Sequence, residues 1–381
     1  MKATSPEADP ECDDERITRR AQIALAATCE PGEPGLADLI DVSSPTSVVA
    51  TLLSGRPPHM RIPRARAIGA RLADLDLDAL LDRAQTLGID VLLPGDSTWP
   101  VRMQDLGPRR PLALWSWGQA NARLASVRSI AMVGARACTR YGDHVARDWA
   151  AQLAHDRVAV ISGGAYGIDA SAHRGALAVD GITICIVAGG LDVLYPRGHE
   201  GLFADIVDRG LILSEAPLGE AVRRRRFLTR NRLIAALASA TCVVEAAHRS
   251  GSVSTAYHAR DMNRPVLAVP GPVTSETSRG THRLIHDQVA TLAADIDDVR
   301  LAIDPIGVAP SEHDAKDDVS TQLREVLDVL PTDRSHHRGV TKEEIAVRSG
   351  HRLGIVTELL ASAVEKGLAH EDHEGLWIFR D

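Results

Sequence analysis

Aromatic side chains are scarce in this 381-residue chain, which has five Trp, four Tyr and three Phe. Cysteines are also few. Cys12, Cys29, Cys138, Cys185 and Cys242 form no Cys-x-x-Cys pair and show no metal-ligand spacing. That pattern argues against a disulfide framework and against zinc, and it suits a reducing compartment. No apolar run approaches membrane-spanning length. Glu7, Asp9, Glu11, Asp13, Asp14 and Glu15 stand where a secretory signal would need basic and then apolar residues. A cytoplasmic protein without a membrane partner is expected.

What is present is a local concentration of positive charge. The formal net charge is -8, yet six arginines crowd the ten residues from Arg223 to Arg232, directly before the apolar run Leu233-Ile234-Ala235-Ala236-Leu237. Overall acidity opposes indiscriminate binding to duplex phosphate but allows a local basic groove. Arg230 lies three and four residues before Leu233 and Ile234, so it shares their helix face and is expected to point inward. Arg232 is displaced by about 200° in helical phase, toward a neighbouring phosphate, a helix partner or solvent. Arg223 to Arg225 are expected to act as diffuse, salt-screened attraction.

The organisation of the chain changes along its length. Residues 1 to about 15 are acidic and aperiodic, an expected disordered tail. With the short helical segments up to Gly88, broken at Pro31-Gly32, Pro34-Gly35, Ser44-Pro45, Pro57-Pro58 and Pro63, they make residues 1–88 an acidic tail and a small helical, SAM-like domain. Over 89–303 short apolar runs alternate with helix-length segments: 129–133, 158–161, 183–188, 211–213, 240–245 and 265–269. This alternation predicts an α/β fold with a Rossmann-like, doubly wound, mostly parallel sheet. Residues 304–318 read as a linker. Over 319–381, helices at 320–330, 341–349 and 353–366 precede strands at 368–371 and 376–379, a winged-helix-like pattern. From Ser320 on there are eight Lys/Arg against eleven Asp/Glu, a net of -3. A duplex reader needs phosphate-neutralising charge, so this unit is expected to contact protein, or DNA only weakly.

Ligands of an open parallel sheet bind beyond the carboxyl ends of its strands. There the chain carries Gly134-Ala135-Arg136, Ser162-Gly163-Gly164, Gly189-Gly190-Leu191-Asp192 with Tyr195-Pro196-Arg197, and Ser250-Gly251-Ser252. Glycine lets backbone amides approach a phosphate, and each loop opens a helix whose dipole favours an anion. A dinucleotide is disfavoured, because Gly-x-Gly-x-x-Gly is absent after the first strand, Arg136 stands where a pyrophosphate would need room, and no acidic residue ends the second strand. No Gly-x-Ser-x-Gly elbow supports hydrolysis. Asp169, Asp192, Glu215 and Glu245 fall near strand ends and are read as structural, Asp169 as a helix cap. No catalytic residue, metal or cofactor is assigned. Tyr141, Tyr166, Tyr195 and Phe227 lie in the glycine and arginine loops, as base-stacking platforms for single-stranded nucleic acid would.

Together these segments resemble the DNA processing protein A (DprA/Smf) family. The resemblance rests on Val133-Gly134-Ala135-Arg136, Gly167-Ile168-Asp169, Ala172-His173-Arg174-Gly175, Tyr195-Pro196, Arg230-Asn231-Arg232-Leu233-Ile234-Ala235, Ser250-Gly251-Ser252 and Val269-Pro270-Gly271, over roughly residues 89 to 300. It implies a non-enzymatic homodimer that binds and protects single-stranded DNA and loads the RecA recombinase during natural transformation. It also implies a phosphate pocket on Arg136, Ser162, Gly163, Arg197, Arg230, Asn231 and Arg232. Leu228, His199 and His282 depart from the residues commonest in the family. The readings from other classes are a Rossmann-like nucleotide phosphoribohydrolase, whose Pro-Gly-Gly-x-Gly-Thr motif is absent here, and a non-catalytic nucleotide-binding dimer.

Overall fold

The computed structural model describes residues 10–55, 60–304, 322–323, 325–327, 329–331, 339–365, 367–372 and 375–379. Two compact units divide the chain, Met1–Asp304 and Pro305–Asp381.

The first unit begins with five helices: α1 (Pro10–Thr28), α2 (Leu36–Ser43), α3 (Pro45–Leu53), α4 (Ile62–Asp74) and α5 (Leu77–Thr86). Residues 10–15 are helical, correcting the expectation of disorder there. The cause is local: Asp13, Asp14 and Glu15 lie in the opening turns of α1, where carboxylates complement the helix dipole, and Arg16 pairs with Asp13 at 2.9 Å. Farther along, α1 contributes Leu25 to a core with Leu36, Val48, Leu52 and Ile68. Ser44 caps α3, accepting from the Ser47 amide with Pro45 at the first position, and Asp76 caps α5 from the Ala79 amide.

A nine-stranded sheet follows: β1 (Asp90–Leu92), β2 (Leu114–Gly118), β3 (Ser129–Val133), β4 (Ala159–Gly163), β5 (Thr183–Val187), β6 (Leu211–Ser214), β7 (Ala240–Val243), β8 (Val266–Ala268) and β9 (Thr291–Leu292). Its order is β1-β2-β6-β5-β4-β3-β7-β8-β9. The strands from β6 to β9 pair in parallel, while β2 runs antiparallel to β6 and β1 antiparallel to β2. This is the mostly parallel α/β fold expected, with β1, β2 and β9 added at the edges.

The helices between strands are α6 (Ala122–Val127), α7 (Arg140–His155), α8 (Ile168–Ala178), α9 (Glu200–Arg209), α10 (Arg224–Leu237), α11 (Ser252–Asp261), α12 (Arg279–His286) and α13 (Ile296–Ile303). Strand alternation sorts them onto two faces. Ile130, Met132 and Val160 pack toward α7 and α8, while Ala131, Val133 and Ile161 pack with Leu233, Ile234 and Leu237 of α10 and Ala256 of α11. Central strands are thus buried on both faces, as their unbroken apolarity requires. From β3 the chain steps outward through β4, β5 and β6, then returns to place β7 on the other flank of β3. That reversal opens a crevice between the ends of β3 and β7.

The second unit has helical residues at 322–323 and 325–327, then α14 (Lys342–Ser349), α15 (Leu353–Glu365) and an antiparallel pair, β10 (Ala369–Glu371) and β11 (Trp377–Phe379). Thr341 and Glu344 form a capping box at α14. Leu323, Val326, Ile345, Val356, Leu360 and Trp377 share one core. The linker read at 304–318 lies outside the described residues except for Asp304, which accepts from Arg128 Nε at 2.9 Å. The hairpin residues His373 and Glu374 also lie outside them.

Candidate nucleic-acid interface

At the crevice between β3 and β7 lies a cavity of about 970 Å³, walled by Gly134–Ala137 after β3, by Arg249–Ser252 after β7, and by the mouth of α10. This is the switch point of the sheet, where ligands of this architecture bind. Arg136 is exposed at the rim, its guanidinium 4.9 Å from the Phe227 ring centroid. Cation–π contact holds the arginine in place without using its hydrogen-bond donors. Arg224 and Arg249 add exposed positive charge to the same rim.

Arg230 forms the inner wall and is only 7% exposed. One of its guanidinium nitrogens, Nη1, donates to the Ile186 carbonyl, whereas Nε has no partner among the described residues. Burial pushes its pKa below the ordinary arginine value, against the pull of Asp169. Gly163 makes this placement feasible, because a Cβ there would overlap the Arg230 guanidinium. Behind it stand two buried histidines. His173 Nε2 lies 3.2 Å from the Gly163 carbonyl and Nδ1 2.6 Å from Thr183 Oγ1. Burial lowers the His173 pKa to about 4, so the ring is neutral, and the Thr183 hydroxyl beside it donates to the Val160 carbonyl at 2.8 Å. His199 Nδ1 reaches the Gly164 carbonyl at 3.1 Å.

The family model of DNA recombination-mediator protein A matches residues 90–304. A DNA processing protein DprA of Mycobacterium tuberculosis is 41% identical over 377 residues, 94% of each chain. The chain belongs to the DprA/Smf family. Protein Smf of Escherichia coli is 39% identical over 51% of this chain and 52% of its own length. The X-ray structure of DNA processing protein A from Streptococcus pneumoniae superposes with a TM-score of 0.65 at 27% identity, over 75% of this chain and 98% of that one. A structure of the Helicobacter pylori protein, described for its unique single-stranded DNA binding mode, gives a TM-score of 0.51 at 28% identity, over 55% and 93%.

The DprA/Smf motif residues divide into three groups in this fold. Arg136, Arg230, Asn231, Ser250, Gly251 and Ser252 meet at the cavity, joined by Tyr195 and Phe227, whose rings are 6.1 Å apart. Within the wall Asn231 Nδ2 donates to the Gly251 carbonyl at 3.0 Å and to Ser254 Oγ at 2.9 Å, tying α10 to the loop after β7. Tyr166 and Gly164 line a small adjoining hollow, with Tyr166 edge-on to His199. A third group is structural. Ser162 and Gly163 belong to β4 rather than to the loop after it, and the buried Ser162 hydroxyl donates to the Met132 carbonyl at 2.6 Å. Gly134 lines the cavity and is also tightly packed, because a Cβ there would stand 2.5 Å from Ile168. The Tyr141 hydroxyl donates to the Pro270 carbonyl at 2.9 Å, and neither Tyr141 nor Arg197 lines the cavity.

Arg232 corrects the phase argument most clearly. It is 2% exposed, and Nη2 contacts both Glu215 oxygens at 2.7 and 2.5 Å, so it faces neither phosphate nor solvent. Helical phase fails here because α10 is covered on two sides, by the sheet and by the loop between α1 and α2. In that loop the Gly32 amide donates to Glu215 at 3.0 Å, and a Cβ on Gly32 would stand 3.0 Å from Arg232 Nε. Arg226 is likewise shared by Glu30 at 3.2 Å and Glu220 at 2.7 Å.

The strand-end carboxylates are engaged. Asp192 accepts from the Gly219 amide at 2.9 Å and pairs with Arg83 at 2.7 Å. Glu245 accepts from the Thr139 amide and hydroxyl at 2.8 and 2.7 Å and from Thr277, joining the loops after β3, β7 and β8. Asp169 lies in the first turn of α8 and also lines the cavity, a position that reading it as a cap alone did not reveal. Among the described residues no cluster of His, Cys, Asp or Glu could hold a metal, and no single helix is long and apolar enough to cross a membrane. A second cavity of about 1000 Å³, beside α1 and β1, also contains arginines, but Arg16, Arg19 and Arg20 there pair with Asp13, Asp96 and Asp78.

Proposed function

We propose that this chain is a non-enzymatic mediator that binds single-stranded DNA through the cavity between β3 and β7. It protects the strand there and passes it to RecA during DNA processing in natural transformation. The observation that carries the reading is the pairing of an exposed arginine stacked on Phe227 with a buried arginine lacking a carboxylate partner, across one crevice. Cations for the backbone beside aromatic faces for the bases suit single strands. The single-stranded DNA binding described for the Helicobacter pylori relative supports the same partner. Homodimerisation, RecA contact and the division into a helical domain 1–88, core 89–303, linker 304–318 and winged-helix-like unit 319–381 complete the proposal and rest on the family resemblance and the sequence pattern.

Engagement of Asp192, Glu215 and Glu245 in structural contacts supports binding rather than turnover. The test is to titrate fluorescent oligo-dT at rising salt while assaying release of base from AMP. Binding with a slope of about -0.7 per phosphate contacted, and no base release, is expected. Base release without oligonucleotide binding would overturn the proposal in favour of a phosphoribohydrolase. A pull-down of RecA filaments with the full chain tests the partner.

A further inference from the structure

The inner wall of the cavity holds two ionisable side chains of opposite sign that do not pair with each other. Arg230 contacts the Ile186 carbonyl but forms no ion pair among the described residues. Asp169, 6% exposed, lies in the first turn of α8 and lines the same cavity. Burial pushes its pKa up to about 6 despite the pull of Arg230 and Arg136. At the rim, Arg136 is held against the Phe227 ring, while Arg224 and Arg249 face water and are screened by salt.

An anion seated at Arg230 therefore meets one weakly screened positive charge, with one negative charge close behind it. A phosphodiester brings a single negative charge and is balanced. A terminal phosphate carries about -1.5 to -2 near pH 7. Its second charge faces a carboxylate in a site where uncompensated charge is costly. Resting on the DNA-binding reading of this cavity, we infer that Asp169 makes it selective for internal phosphodiesters over terminal phosphomonoesters. The strand is held along its length, not by a phosphorylated end, and free mononucleotides are rejected.

The test uses the full chain bound to a short fluorescent oligo-dT at pH 8. Thymidine 5′-monophosphate and its methyl ester, which share base and sugar and differ in phosphate charge, are added as competitors. The methyl ester should displace the oligonucleotide at about tenfold lower concentration or better, the effect of one like charge nearby. Asp169→Asn, which keeps the size of the side chain and removes its charge, should bring the two close to equal. Equal or stronger displacement by the monophosphate overturns the inference, and so does failure of the methyl ester to displace. An Asp169→Asn protein with the wild-type ratio overturns it as well. If that variant does not fold, the wild-type ratio decides alone. Absence of oligo-dT binding would instead sink the underlying DNA-binding reading.

Discussion

Arg230 and Arg232 lie two residues apart on α10 and are both buried, yet they face different chemistry. Arg232 closes on Glu215, which also receives the Gly32 amide, so its charge is spent on joining the N-terminal helices to α10. Arg230 meets a main-chain carbonyl and keeps Nε without a partner at the cavity wall. Arg226 resembles Arg232, neutralised by Glu30 and Glu220. A count of six arginines therefore overstates the charge available to a ligand. What separates binding from bracing is whether a carboxylate is already in contact.

The comparison is broken most forcefully at the brace. Arg232→Ala leaves Glu215 with little solvent and no cation, and such losses from buried pairs cost about 3–5 kcal/mol. Urea denaturation should show a much lower midpoint for Arg232→Ala. The double variant Arg232→Met with Glu215→Leu should recover most of the loss, because a well-packed apolar pair avoids the buried unpaired charge. Recovery of oligo-dT binding by that double variant would sharpen the assignment of Arg232 to structure. Loss of binding in a stably folded double variant would break it.

How much of this was legible follows from where the signals reside. β3 was readable to the residue, and β5 to within one, because each is a continuous apolar run between turn residues. β4 extends through Ser162 and Gly163, which look like turn residues in sequence. Only the fold shows the Ser162 hydroxyl satisfied by Met132, and Gly163 emptied of a side chain for Arg230. β9 is two exposed residues with no alternation to detect, and β2 forms by antiparallel pairing between β1 and β6. The anion crest was legible because glycine and arginine recur after successive strands. The Arg232–Glu215 pair was not, since it depends on how an N-terminal loop packs over α10. Asp169 shows the same limit: a carboxylate in the first turn of a helix reads as a cap until the cavity beside it is seen.

Within the cavity a smaller effect is expected, in affinity rather than stability. Arg136→Ala removes an exposed cation and should leave the fold intact. Losing hydrogen bonds to a charged group, about 1.5–3 kcal/mol, corresponds to about a tenfold to hundredfold loss of oligo-dT affinity. Arg230→Ala and Gly163→Ala should reach the same range from inside, the second by displacing the Arg230 guanidinium, with circular dichroism confirming that the proteins fold. Wild-type affinity in Gly163→Ala would show that the position of Arg230 does not matter.

The smallest effect is expected at Arg224, exposed in the first turn of α10 and at the cavity rim. A solvent-facing cation contributes mainly screened attraction, so Arg224→Ala should weaken oligo-dT binding by less than about threefold at physiological salt, as the surface charge-pair range implies. Its signature should be in the salt titration, where losing one phosphate contact lowers the slope by about 0.7. At low salt the gap from wild type should widen, and at high salt it should close. For Arg136→Ala the deficit should persist at high salt, because stacking on Phe227 fixes that guanidinium at the crevice. If Arg224→Ala and Arg136→Ala lose equal affinity and converge equally with salt, charge density alone governs binding, and the division of the arginines by their partners fails.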